Sequence, residues 1–433
     1  VSTAIAKNFQ VGSDGTATNN FTIRQPATPD GTVRIANGNS GTTTDLVTVT
    51  SAGDVGVGVT APTAKLDVSG TAAVSGAFSV AGNNISAVNS MGFRNRIING
   101  DMRIDQRNAG AAISYTAATQ TYLVDRWLAY LQLSSKFTIQ QNQGSVTPPA
   151  GFSNYLGFTS SAATTPGSTD LYVFAQKLEG FNIADFGWGA AGAQAVTLSF
   201  WVRSSLTGTF GGSLFNSAAN RNYVFSYTIN AANTWEQKTI TITGDTSGTW
   251  LTNNGAGIQI WWNLGSGSSN LGTAGSWGAT GFYGPTGSTS VVGTNGATFY
   301  ITGVQLEAGS VATPFERRDY GRELMLCQRY LPAWSGTSGN QDFCSAFNQT
   351  TTTSNFVLTH PVTTRVPTTG ATVSGSIFFT GSNNAYAASS VAFVGSSTGA
   401  TRLSGTISGG TAGAGGAGFG QGTWSIYLTG CEL

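Results

Sequence analysis

The run Val196-Thr-Leu-Ser-Phe-Trp-Val202 decides the fold class. In an extended chain Val196, Leu198, Phe200 and Val202 fall on one side, and Thr197, Ser199 and Trp201 on the other. That period of two marks a half-buried strand. The same alternation returns in Asn222 to Ile229, where Tyr223, Phe225, Tyr227 and Ile229 share a face, and in Ile258 to Leu264, where Ile258, Ile260, Trp262 and Leu264 do. Leu171 to Lys177, Thr239 to Thr243 and Thr298 to Leu306 complete the set, with Gly, Asn and Ser between the runs. Many short strands with such turns predict an all-β sandwich or jelly roll over residues 93–320.

The regions on either side read differently. Residues 1–92 hold only Phe9, Phe21 and Phe78 as aromatics, yet short alternating runs recur: Phe21 to Ile23, Thr32 to Ile35, Leu46 to Thr50, Val55 to Val59 and Lys65 to Val68. Each is too short to enclose a core alone, so the strands need partners for their edges and apolar faces. An intertwined trimeric β shaft is the expectation, with a flexible Gly/Ser/Thr linker as the competing reading. From Asp319 to about Tyr330 the pattern turns helical, with Tyr320, Leu324, Cys327 and Leu331 at helical spacing, Asp319 as cap and Pro332 as stop. This connecting helix, in residues 321–332, leads to a smaller C-terminal β domain at 333–433. Strands are expected there at Asn355 to Thr359, Gly375 to Phe379 and Thr423 to Leu428, around a Gly-rich tract from Gly405 to Gly422.

Composition narrows the function. Of 433 residues 59 are glycine and only 9% are charged, with 20 Lys and Arg against 19 Asp and Glu. An ordinary domain is about 25% charged. So sparse a surface calls for Ser, Thr, Asn and Gly cover, or for burial against copies of the same chain. A net charge of +1 gives no electrostatic case for nucleic acid or an anionic membrane. No apolar run is long enough to insert in a membrane, and no signal-peptide pattern opens the chain. Cys327, Cys344 and Cys431 have no CxxC spacing and are expected to be free, inert thiols.

Catalytic signals are weak. The single histidine, His360, precedes Pro361 and would have to serve any triad alone. Gly413 to Gly418 matches GxGxxG, but no helix pattern follows it. The densest charged stretch is Asn99 to Arg107; if extended, it places Asp101, Arg103, Asp105 and Arg107 on one side as a paired ladder.

Met91-Gly-Phe-Arg-Asn-Arg-Ile-Ile-Asn-Gly-Asp-Met-Arg-Ile-Asp-Gln-Arg107, followed by Tyr122-Leu-Val-Asp-Arg-Trp127, resembles the opening of a domain common in tailed-bacteriophage fibre proteins. Ile301 to Ser310, Ala312 to Arg317 and Leu324 to Tyr330 match its closing. Ala52 to Val59 and Lys65 to Gly70 look like fibre-shaft repeats, and His360 to Pro367 is similar to fibre tips. The resemblance implies a homotrimeric virion tail fibre. Its N-terminal region would join other phage tail proteins, and it would attach to host lipopolysaccharide or another surface glycan. It also implies a jelly roll resembling carbohydrate-binding modules. Some of these hold a structural calcium, for which Asn99, Asp101 and Glu307 fall in roughly matching places. The chain lacks a carboxylate-rich loop, so the expectation is no cofactor, with calcium as the alternative. No enzymatic activity is expected; a tailspike glycan depolymerase and a bacterial surface adhesin are the alternatives.

Strand parity then nominates the glycan site. Trp201 lies with Thr197, Ser199 and Arg203; Trp235 with Gln237, Thr239 and Thr241; Trp261 with Gln259 and Asn263. A tryptophan among amides and hydroxyls suits a sugar, whose C–H face stacks on the ring. The competing reading buries each ring at a subunit contact or under a loop. Trp334, Tyr386 and Trp424 in the C-terminal domain come next.

Overall fold

The computed structural model of the chain describes residues 8–16, 19–26, 28, 30–39, 42–72 and 93–433. The expected boundary at residue 92, and Phe78, lie outside these. The chain divides into two units, Val1–Ala87 and Val88–Leu433, and nearly all regular structure in both is β.

In the first unit six strands, Asn8–Val11, Phe21–Arg24, Thr32–Asn39, Thr42–Thr50, Val55–Val57 and Leu66–Val68, form one sheet in chain order. Its register aligns Phe9, Ile23, Ile35, Val47, Val57 and Val68, one residue per strand, in a single apolar row. A second row joins Val33, Val49, Val55 and Leu66. Most of these side chains are exposed, Phe9 at 63% and Leu66 at 64%. The buried side chains among the described residues of the sheet are instead Thr22, Thr32, Ala36 and Thr48. Arg24 and Arg34 there both pair with Asp45, at 2.7 and 2.9 Å.

The second unit opens with an antiparallel sandwich. One sheet runs Glu236–Ile242, Val196–Ser204, Thr298–Ala308, Leu156–Ser160, Phe137–Gln141. The other runs Trp277–Gly278, Asn222–Ile229, Gly208–Phe215, Ala256–Asn263, Tyr172–Glu179, Trp127–Leu131, Gln120–Tyr122. Some consecutive strands pair as hairpins, such as Phe137–Gln141 with Leu156–Ser160, but the chain crosses repeatedly between the two sheets, as in a jelly roll. The inward set named from the sequence fills its core: Val196, Leu198, Phe200 and Val202 face Phe174, Ile258, Ile260 and Trp262 in one buried cluster.

A helix, Tyr320–Gln328, follows, and the Asp319 side chain accepts from the Arg322 backbone N–H as its cap. An eight-stranded sheet then closes the chain around Phe356, Phe379, Leu403 and Ile426. Its central strand runs from Gly415 to Thr429, much longer than the expected Thr423 to Leu428. Glycine is ordinarily poor in strands, but neighbours occupy the space where side chains would stand. A Cβ at Gly420 would lie 2.1 Å from the Trp424 ring, and one at Gly418 would lie 2.6 Å from the Cys344 sulfur.

The charged ladder at Asn99 to Arg107 is corrected as well. This stretch is a series of turns, with Asn99 and Met102 in the left-handed region. Its charges scatter accordingly: Arg103 pairs with Asp101 at 3.3 Å, Arg107 reaches Glu432, and Asp105 accepts from the backbone of Asn108 and Gly110.

Candidate functional site

The two motifs that carry the fibre resemblance, far apart in sequence, meet as a buried polar clasp. Asn95 Oδ1 accepts from the backbone of Ile97 and Leu306, and its Nδ2 donates to the Val304 carbonyl. Gln305 Nε2 donates to Glu307 at 2.8 Å, and Gln305 Oε1 accepts from Glu316 N. Arg318 donates to the Ile97 carbonyl at 3.1 Å and pairs with Glu323 at 3.2 Å, and both side chains are almost wholly buried. Buried polar groups must be matched in this way. The motif residues therefore join the ends of the jelly roll to the helix.

The calcium candidates belong to that clasp and do not fit a cation. Asn99 Oδ1 accepts from Ile104 N at 2.9 Å, and its Nδ2 donates to two carbonyls. Glu307 accepts from Gln305 and from the backbone and hydroxyl of Thr313. Asp101 is paired with Arg103, and burial raises its carboxyl above the usual range. Among the described residues no three His, Cys, Asp or Glu side chains are grouped to hold a metal ion.

Other titratable groups are engaged too. His360 is buried, with Nδ1 3.0 Å from the Thr398 carbonyl and Nε2 2.9 Å from the Thr401 hydroxyl. Cys327, Cys344 and Cys431 are free thiols, and burial pushes Cys344 and Cys431 up to about 12.

The three nominated tryptophans divide between the two faces of the sandwich. Trp261 does point away from the core, as its parity required, but is only 4% exposed. It packs with Leu128, Val173, Ala175 and Phe215, with the Tyr283 ring edge-on at 5.4 Å. The loop reading holds for this ring, which presents no open face.

Trp201 and Trp235 are half-buried and share the outer face of the five-stranded sheet. Trp201 is in register with Gln237 on one side and Thr302 on the other. A bulge in the partner strand falls opposite Phe200, yet Trp201 keeps its outward side. The reason is Gly303, whose φ of 61° lets the partner strand absorb the extra residue. A Cβ there would sit 2.6 Å from the Phe152 ring and 3.2 Å from Trp201. The Trp235 indole N–H donates to the Thr147 carbonyl at 2.9 Å, and its ring meets Tyr155 at 5.6 Å and Tyr300 at 6.5 Å. Arg203 lies over Tyr300 at 5.5 Å and donates to the Asn233 carbonyl. This surface combines aromatic rings with a cation and amides. Tyr300, whose outward parity in Thr298 to Leu306 the sequence reading passed over, is only 3% exposed and, with the fully buried Tyr155, backs the Trp235 ring without offering a face of its own.

No protein-family model matches the chain, and no curated protein matches it. Solved structures give loose likenesses to parts of it. The enzymatically active domain of tailspike protein 4 from bacteriophage CBA120 is 12% identical with a TM-score of 0.26, over 50% of this chain and 21% of that one. The family 11 carbohydrate-binding module of a Clostridium thermocellum cellulase is 12% identical with a TM-score of 0.23, over 46% of this chain and 100% of that one. The N-terminal cellulose-binding domain of a Cellulomonas fimi β-1,4-glucanase is 14% identical with a TM-score of 0.24, over 43% and 90%. The chain thus spans about a fifth of the tailspike structure, and function rests on the chain's own residues.

Proposed function

We propose that this chain is a fibre protein of a tailed-bacteriophage virion that attaches to a host-surface glycan and does not cut it. The observation that carries the reading is the outer face of the five-stranded sheet, where half-buried Trp201 and Trp235 lie beside exposed Gln237 and half-buried Arg203. Such a face stacks on the C–H side of a sugar ring and hydrogen-bonds its hydroxyls. The apolar face of the first unit supplies assembly: copies of the chain, three to a fibre, cover the rows led by Phe9 and Val33. The N-terminal region joins the fibre to other tail proteins. Each site alone is weak, and several on one particle raise avidity by roughly 10² or more.

Binding without cleavage is supported by the engagement of His360 by the Thr398 carbonyl and the Thr401 hydroxyl, and of the carboxylates Asp105 and Glu307 by protein donors. The test is adsorption of the full chain to immobilised host lipopolysaccharide, with chromatography of the supernatant. The expected result is binding that falls in the Trp201→Ala/Trp235→Ala double variant, with no oligosaccharide released. Undiminished binding by that variant removes this surface, and released oligosaccharides make the chain a depolymerase.

A further inference from the structure

A groove in the second unit lies where the turns at Arg103 to Ala109, the helix and the C-terminal domain meet. It holds about 840 Å³, within the range of small-ligand sites. Trp334 stands half-buried at its side, and the nearly buried Trp424 forms part of its floor, held by an indole N–H that donates to Gln341 Oε1 at 3.2 Å. Phe343 lies against Trp424 at 4.8 Å.

What the groove leaves unspent is informative. Gln328, Ser335 and Asp342 all line the groove, Ser335 and Asp342 exposed and Gln328 half-buried, and their side chains make no hydrogen bond or ion pair within the described residues of the chain. They offer an amide, a hydroxyl and a carboxylate beside an indole ring. The groove's cation is already committed: Arg103 pairs with Asp101 at 3.3 Å, donates to the Arg318 carbonyl at 2.6 Å and lies over Tyr320. Asp105 is held by Asn108 and Gly110.

From this geometry we propose that the groove is a second saccharide site, and that it takes a neutral oligosaccharide. The Asp342 carboxylate accepts from two adjacent sugar hydroxyls, Gln328 and Ser335 serve as both donor and acceptor, and the sugar C–H face stacks on Trp334. An acidic sugar is disfavoured, because its charge would face Asp342 with no uncommitted cation to offset it. This inference rests on the glycan-binding reading and adds a site and a ligand class to it.

The test uses the full chain carrying Trp201→Ala and Trp235→Ala, so that the sheet face does not contribute. The probes are maltotetraose, cellotetraose and mannotetraose, with tetragalacturonate as the acidic counterpart, titrated at millimolar concentrations and followed by calorimetry and saturation-transfer NMR. At least one neutral probe is expected to bind and tetragalacturonate to bind more weakly. Adding Trp334→Ala should weaken binding about tenfold, the loss of one stacking contact. Asp342→Asn and Gln328→Ala, both at solvent-facing positions, should each weaken it several-fold with the circular dichroism spectrum unchanged. The proposal is overturned if no neutral probe binds this background, if the acidic probe binds best, or if all three added variants bind as the background does. If neutral probes bind the wild-type chain but not the background, the groove proposal fails and the glycan reading stands. If neither chain binds any probe or host lipopolysaccharide, both fail.

Discussion

The sheet of the first unit and the jelly roll of the second are built from the same kind of strand and dispose of it in opposite ways. In the jelly roll the alternating apolar set turns inward, and Phe200, Trp262 and Phe174 are fully buried. In the first unit the apolar set faces out, with Phe9, Val33 and Leu66 each more than half exposed, while Thr22 and Thr48 are buried. Alternation therefore fixes which side chains share a face, but not what covers that face. Where a second sheet follows in the chain, the cover is internal. Where the described residues of the unit supply none, an apolar face of this extent calls for a further cover, and the sparse charge of the chain favours a copy of itself.

Several substitutions would break or sharpen that contrast. In the jelly roll, Trp262→Ala removes a ring stacked on Phe174 at 5.4 Å and should cost about 3–5 kcal/mol by urea denaturation. Arg318→Ala, which strips the partner from buried Glu323, should cost a comparable 3–5 kcal/mol or so. In the first unit a double substitution of far larger chemical change should cost little in the fold of one chain. Ile23→Lys with Ile35→Lys places two charges opposite each other in the exposed row; assembly is expected to fall apart in sedimentation while the tryptophan fluorescence of the jelly roll is retained. Equal unfolding of the jelly roll in that variant would show that the contrast is mistaken.

A smaller effect is pH-dependent. Burial pushes Asp125 up to about 7. Its folded value lies above the unfolded value of about 3.9, so the folded chain holds the proton more tightly between the two. The stability this contributes is present at low pH and is lost as pH rises toward 7. Asp125→Asn should therefore flatten part of the decline in urea midpoint between pH 5 and pH 8. A slope identical to wild type would show that the carboxyl is ionised throughout.

The jelly roll was legible because inward sets such as Val196 to Val202 repeat their parity over a whole strand; Thr298 to Ala308, where the bulge at Gly303 shifts it, is an exception. The helix was legible through its cap Asp319, but it ends at Gln328, short of the expected 332 and of Pro332 as its stop. The long strand from Gly415 was not: glycine has no strand pattern, and its role there is set by Trp424 further along the same strand and by Cys344 on the neighbouring one. Asn99 to Arg107 alternates in sign, but turns at Asn99 and Met102 outweigh that pattern. Parity correctly turned Trp261 outward, yet only tertiary structure could bring Tyr283 over it. The groove was out of reach because its walls come from residues as distant as Arg103 and Trp424.

Sedimentation equilibrium of the full chain at micromolar concentration tests the central claim most directly, since the exposed rows of the first unit have meaning only if other copies cover them. The account predicts a single species at three times the 44.5 kDa chain mass, resistant to dissociation on dilution because an obligate interface buries well over about 2,000 Å². A stable monomer of 44.5 kDa at that concentration would contradict it.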